Sequence, residues 1–327
     1  WWFPRCRVSA GRPASSITIT ADLNHSGTRP VWITFPIRSN QMRICRYTES
    51  SNGPIRLGIV KNDQVHDVTD VIDMLPTVRW PIPPGDLFIK HLNELRPLML
   101  ELASQAQPIP LGKVNLKAPV ANPGKFICGA GNHQVVLQAG HHPRNLGLLF
   151  KMTNASAGPS DGITLRWPER VTFHEMEIAI IIGKQCLGIT AAEALAHVAG
   201  YAIGLDMTMQ GGEFDSFCKS FDTYGVIGPW LVTADEIPDP SILNYELKVN
   251  GEARQTDSVG NLALDVAHLI EHAASVMTLY PGDVIFSGTP PMSVGPVVPG
   301  DVIHAQMDVI GEFSINVSGG PGRKYSE

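Results

Sequence analysis

Apolar and polar residues alternate with two periods along this chain. Met42-Arg-Ile-Cys-Arg-Tyr47, Ile55-Arg-Leu-Gly-Ile-Val60 and Gln64-Val-His-Asp-Val68 carry short alternating patterns that predict strands, with Asn62-Asp63 in the turn between the last two. His91 to Leu102 places apolar residues at helical spacing, and Pro108, Pro110 and Pro119 then mark a linker. From Lys125 onward the pattern is a succession of short strands punctuated by glycine and proline. Ala192 to Ala199 predicts a short helix leading into a strand over Tyr201–Asp206. Asp265 to Tyr280 predicts an amphipathic helix stopped by Pro281-Gly282. No internal repeat, heptad or low-complexity tract interrupts this order.

One run breaks the pattern in a chemically informative way. Val171-Thr-Phe-His-Glu-Met-Glu-Ile-Ala-Ile-Ile-Ile-Gly183 reads as a single strand that is almost wholly apolar, yet it carries Glu175 and Glu177. Residues i and i+2 of a strand point to the same face, so the two carboxylates are expected side by side. Burying two like charges unpaired is prohibitive. A bound cation resolves the conflict, and an all-oxygen donor set favours Mg²⁺, Mn²⁺ or Ca²⁺. A solvated strand face, or pairing with Lys or Arg, are the competing readings of the same residues.

Composition narrows the class. The 327 residues suffice for two domains, or for one with an appendage. A net charge of −6 speaks against a nucleic-acid binder, and 31 Gly with 26 Pro imply many turns and short strands. No apolar stretch reaches the ~20 residues that span a bilayer. Cys6, Cys45, Cys128, Cys186 and Cys218 are scattered without CxxC spacing, which points to a reducing, cytoplasmic setting with neither disulfides nor a thiolate metal site. Residues 1–41 differ from the rest. They hold Arg5, Arg7, Arg12, Arg29 and Arg38 against one acidic residue, Asp22, and are read as a non-native or disordered extension. A small N-terminal domain over 42–118 and a catalytic domain over 119–327 are expected to follow.

Several motifs in order complete the picture: Phe150-Lys151, Asp161-Gly-Ile163, Trp167-Pro168, the Glu-x-Glu strand, Gly200-Tyr-Ala-Ile-Gly-Leu-Asp206, Lys219-Ser-Phe-Asp-Thr223, Gly228-Pro-Trp-Leu-Val-Thr233, Val249-Asn-Gly-Glu-Ala-Arg-Gln255 and Thr278-Leu-Tyr-Pro-Gly-Asp-Val-Ile-Phe-Ser-Gly-Thr-Pro290. Together they resemble the fumarylacetoacetate hydrolase family with its acylpyruvate hydrolase and decarboxylase relatives, from about Lys125 to Val317. The resemblance implies an α+β, mainly β fold with a mixed β-sandwich or β-roll core, in a homodimer. It implies a divalent cation on Glu175, Glu177 and Asp206, and a substrate held by Lys219 and by Thr289 with Gly288. Gln210 and Glu213 stand where the family has further substrate contacts. The implied activity is metal-dependent hydrolysis of a C–C bond in a small 2-oxo or β-diketo acid.

The departures matter as much as the matches. Hydrolytic members activate water with a His and a Glu three residues apart on a short helix. In Gly129-Ala-Gly-Asn-His-Gln-Val-Val-Leu-Gln-Ala-Gly140 those positions are Val135 and Gln138, neither of which is a base. His133 is the candidate replacement, ahead of His141 and His142. Loss of the pair keeps open a decarboxylase, tautomerase or dehydratase on the same metal platform, or a member without turnover. His268-Leu-Ile-Glu-His272 matches the H-x-x-E-H zinc-peptidase pattern, but a packing helix is expected there. Cys218, beside Lys219, is read as an idle buried thiol rather than a reactive one.

Overall fold

The computed structural model describes residues 16–21, 31–36 and 42–320. Ser16–Ala21 and Val31–Pro36 form an antiparallel pair within a unit spanning Trp1–Gln41, distinct from the unit Met42–Glu327. The expectation for 1–41 otherwise falls outside the described residues.

The larger unit is built on a mixed twelve-stranded sheet. Its centre runs Arg43–Thr48, Gly225–Thr233, Val198–Asp206, Met176–Ile182, Val284–Phe286, Phe126–Gly129, with Leu148–Lys151 at one edge. Most pairs are antiparallel, but Val284–Phe286 runs parallel to Phe126–Gly129. A five-stranded sheet (Ile163–Leu165, Gly311–Gly319, Val302–Met307, Asn244–Val249, Glu252–Ser258) and a three-stranded sheet (Thr208–Met209, Thr172–His174, Gly295–Val297) complete the β core. This is the mainly β, α+β architecture expected. The segments 42–118 and 119–320 share one sheet, because Arg43 and Ile44 pair with Val232 and Leu231.

The central strand Met176–Ile182 is buried along its whole length, and its period-2 alternation divides two cores. Met176, Ile178, Ile180 and Ile182 belong to the core that also holds Leu247, Ile303 and Phe313 of the five-stranded sheet. Ala179 and Ile181 join Phe126, Phe286 and Met99 on the other side. Met99 comes from the helix Leu92–Gln105, which turns Leu92, Leu95, Met99 and Ala103 inward at helical spacing. Asn62 and Asp63 take positive φ of 49° and 56° between Arg56–Lys61 and Gln64–Asp67, the two-residue turn that suits the twist of a hairpin.

Local expectations shift in three places. The helix before Tyr201 is one turn, Ala191–Ala194, followed by a 3₁₀ turn, and the strand begins at Val198. The last helix is Val266–Val276, with Asp265 accepting from the His268 amide as its N-cap. The expected single strand 171–183 is two: Thr172–His174 pairs in the three-stranded sheet and Met176–Ile182 in the large one. The chain changes sheets at Glu175, so this carboxylate sits at a junction where no ladder covers it.

Candidate active site

Register assembles the acidic cluster. Glu177 pairs with Gly204 and Met176 with Leu205, so Asp206 lies opposite Glu175, and its amide donates to the Glu175 carbonyl at 2.8 Å. Cross-strand partners share a face. Glu175, Glu177 and Asp206 therefore converge, each offering an oxygen within 4.8 Å of the others. Gly204 matters here because a Cβ on it would meet the Phe286 ring at 2.5 Å. Glu177 and Asp206 are 2% and 1% exposed, while the Glu175 side chain keeps 16%.

Two ammonium groups hold this charge. Lys219 Nζ lies 3.0 Å from Glu175 Oε2 and 2.8 Å from Asp206 Oδ2, and donates to Thr208 Oγ1 at 2.7 Å. Lys151 Nζ is 2.5 Å from Asp206 Oδ1 and donates to the carbonyls of Met207 and Lys219 at 3.0 and 2.6 Å. Oδ1 nonetheless has no aligned hydrogen bond; the contact is ionic. Glu177 Oε2 accepts the Gly288 amide at 2.5 Å.

The electrostatics separate the three acids. Burial, then Asp206 and Glu175, push Glu177 well above the carboxylate range. Burial also raises Glu175, with Lys219 opposing. Asp206 is as deeply buried, but Lys151 and Lys219 outweigh that penalty and hold it below its ordinary value. Burial works to neutralise Lys219, yet Asp206 and Glu175 raise it well above a free lysine. Three carboxylates, two of them pressed to keep their protons, face two ammonium groups, so the cluster is short of positive charge. The donor set, three carboxylates without His or Cys, suits a hard divalent cation.

The residues expected on the substrate side take the following positions. Gly288, at φ +94°, packs against Gly129 and Asn132, where a Cβ would meet the Gly129 carbonyl at 2.7 Å. Thr289 Oγ1 donates to the Met176 carbonyl at 3.2 Å and accepts from Gln255 Nε2 at 2.6 Å. Gln255 also accepts the Met176 amide at 2.9 Å, so it clamps the peptide between the two glutamates. Gln210 and Glu213 are engaged within their own loop. Arg170 grips Glu213 at 2.5 and 2.8 Å and the Gln210 carbonyl at 2.9 Å, and this pairing drops Glu213 to about 2.

His133 is buried, with Nε2 2.9 Å from Asp257 Oδ2. Val135 and Gln138 lie on the short helix Gln134–Gln138, none of whose residues is buried. His141 and His142 are exposed, and His142 Nδ1 caps the Arg144 amide at 3.2 Å. Sequence reasoning missed Lys151, Thr208 and Gln255, which touch the cluster or the peptide between its glutamates, and Asp257, which pairs with His133. Lys151 and Gln255 stood in quoted motifs, and Thr208 follows Asp206 at strand spacing. Nothing local marked Asp257, which is brought in from 124 positions away.

The zinc pattern does not assemble. His268 bonds Asp265 at 2.8 Å, and Glu271 is taken by Arg144 and by the Ala191 amide. Among the described residues the only acid/His/Cys cluster with metal-holding geometry is Glu175–Glu177–Asp206. Cys45, Cys128, Cys186 and Cys218 are free and buried, and burial raises the Cys218 thiol.

Such a fold and site define a metal-dependent enzyme with an all-carboxylate centre. Residues 114–318 match the family described as fumarylacetoacetate (FAA) hydrolase C-terminal, and the chain belongs to that family. It is 43% identical over 290 residues to maleylpyruvate hydrolase of Aquipseudomonas alcaligenes, covering 84% of this chain and 99% of that protein. The structure of maleylpyruvate hydrolase from Sphingobium sp. SYK-6 in complex with manganese(II) and pyruvate superposes with a TM-score of 0.72 at 36% identity, covering 85% of this chain and all of that one. Fumarylacetoacetate hydrolase from Exiguobacterium antarcticum gives 0.65 at 27% identity, covering 85% and 99%. The chain is a metal-dependent hydrolase acting on a C–C bond of a small 2-oxo acid.

Proposed function

We propose that this enzyme hydrolyses an acylpyruvate whose acyl arm ends in a second carboxylate, the maleylpyruvate type, giving pyruvate and the matching dicarboxylate. The observation that carries the reading is the carboxylate cluster straddled by Lys219, in a chain that aligns with a maleylpyruvate hydrolase over 99% of the latter's length. Glu175, Glu177 and Asp206 would hold Mg²⁺ or Mn²⁺, with Ca²⁺ also allowed by the oxygen donors. When bound, the cation supplies Lewis-acid polarisation to a 2-oxo acid.

The chain's own residues do the rest. Lys219 touches Glu175 and Asp206 through one ammonium, so it can exchange a carboxylate partner for the substrate's carboxylate. Lys151 holds Asp206 and the Lys219 carbonyl from behind, fixing both. The Thr289 hydroxyl can turn its proton from the Met176 carbonyl toward an incoming carboxylate while still accepting from Gln255. Gln210 would contact substrate from the loop that Arg170 and Glu213 brace. His133 is the candidate for activating water.

The assembly is proposed to be a homodimer, supported by Phe150 and Met152, 42% and 64% exposed at the edge of the large sheet. A cytoplasmic setting is proposed from the four buried free thiols. No described helix is long and apolar enough to cross a membrane.

An NMR time course with Mn²⁺ on a panel of acylpyruvates, oxaloacetate and β-diketo acids tests the activity, with Glu175→Ala as control. Two carboxylate products from an acylpyruvate, lost in Glu175→Ala, are expected. Release of CO₂, or only deuterium exchange beside the ketone, would replace this reading with a decarboxylase or tautomerase.

A further inference from the structure

The family's water-activating pair is absent from the helix Gln134–Gln138, yet a buried His–carboxylate pair lies at that helix's start. His133 and Asp257 side chains are 9% and 11% exposed. Asp257 Oδ1 is held by the Ser258 amide at 2.8 Å and by Asn261 Nδ2 at 2.6 Å, which orients Oδ2 toward His133 Nε2 at 2.9 Å. A carboxylate on one ring nitrogen fixes the tautomer, with the proton on Nε2 and the lone pair on Nδ1. That lone pair now caps the Val135 amide at 3.2 Å, a long bond to a helix that buries none of its residues.

The pair is tied to the substrate loop from both sides. Asn132, next to His133, donates to the Ser287 carbonyl at 2.8 Å, and Gly288 of that loop caps Glu177. Gln255, one pleat before Asp257 on the strand Glu252–Ser258, bonds Thr289. Tyr245 is the cross-strand partner of Asp257. Burial first, then the charges of Asp257 and Glu177, push its hydroxyl up, while a bond to Thr289 opposes this. The Tyr245 hydroxyl thus lies within the field of both acids.

We propose that Asp257 is the positioning residue that makes His133 the base for hydrolysis, a pairing drawn from two distant segments in place of the family's single-helix pair. This rests on the acylpyruvate reading above. Water, in place of the Val135 amide, gives its proton to Nδ1 as its oxygen bonds to the acyl carbonyl carbon. The bond between that carbon and C3 of the pyruvyl unit then breaks, and its electron pair goes to C3. His133 returns the proton to C3, so one carboxylic acid and one pyruvate leave, and the acid loses its proton to solvent.

The experiment measures kcat, KM and Mn²⁺ affinity on an acylpyruvate for the wild type, His133→Ala, Asp257→Asn and Asp257→Glu, with and without added imidazole. His133→Ala is expected to lose about 10²–10⁴-fold in kcat, to keep its Mn²⁺ affinity, and to regain rate in proportion to imidazole. Asp257→Asn is expected to lose about 10²-fold in kcat with KM little changed, and Asp257→Glu to recover part of it. Near-wild-type kcat in His133→Ala, absence of imidazole rescue, or equal rates for Asn and Glu at 257 would each overturn the assignment while leaving wild-type hydrolysis, and so the functional reading, intact. A wild type that cleaves no acylpyruvate would overturn both.

Discussion

Glu177 and Asp206 are equally buried carboxylates with opposite fates, and the difference is which of them the lysines reach. Asp206 has an ammonium on each oxygen and stays ionised, whereas Glu177 has one backbone amide and is driven toward its protonated form. The raised Glu177 and Glu175 favour the metal-free fold at low pH, and that contribution is lost as pH rises through their folded values; Asp206 behaves in the opposite sense. A cation needs all three ionised, so Mn²⁺ uptake should expel protons and tighten as pH rises. Calorimetry in buffers of different ionisation enthalpy should show a buffer-dependent heat; a buffer-independent heat would refute it. At the same scale, Lys151→Met leaves Asp206 Oδ1 and two buried carbonyls without their cation. The metal-free protein should lose about 3 kcal/mol, the usual cost of breaking a buried pair, and urea melts should show a smaller loss in Mn²⁺.

At the scale of elements, the site depends on segments that do not themselves carry charge. Lys219 follows the one-turn helix Asp215–Cys218, too short to hold itself. Phe217 stacks on Trp167 at 6.0 Å and Phe221 meets the same ring edge-on at 5.0 Å, fixing the segment that presents the ammonium. The strand Glu252–Ser258 serves in the same way through Gln255, which is 1% exposed and bonds both polar groups of Met176. Gln255→Leu should therefore raise KM by releasing Thr289, and cost about 2 kcal/mol by leaving the buried Met176 amide without its acceptor. Arg254→Ala, one residue away but, among the described residues, paired with exposed Glu252, should change stability by less than about 0.5 kcal/mol. Similar losses in the two variants would refute the clamp.

For the whole molecule, the acidic cluster is a strained element within a stable frame. The strand beneath it is buried on both faces, while three carboxylates face two lysines. Binding a cation only in the folded state should stabilise the enzyme by about 2.7 kcal/mol at one hundred times Kd. Thermal melts with Mn²⁺ and after EDTA should differ accordingly, and the difference should vanish in Glu177→Gln. A shift that persists in that variant would place the metal elsewhere.

Local chemistry was legible in the residues alone. Hairpin Arg56–Asp67, helix Leu92–Gln105, the apolar strand and the convergence of Glu175 and Glu177 all follow from side-chain period, and period is a property of neighbours in the chain. The motif order pointed to Asp206, Lys219 and Thr289, and the structure pairs Lys219 with Asp206 and bonds Thr289 to the Met176 carbonyl. Tertiary structure alone decided where the strand breaks at Glu175, because a change of sheet depends on which strands lie alongside. It also decided that Lys151 neutralises Asp206, that Gln255 locks Met176, and that His133 faces Asp257. Each of these is a contact between buried polar groups far apart in sequence, where the cost of leaving a charge or donor unpaired selects the partner. His268-Leu-Ile-Glu-His272 failed for the same reason: its spacing was right, but Asp265 holds His268, while Arg144 and the Ala191 amide hold Glu271.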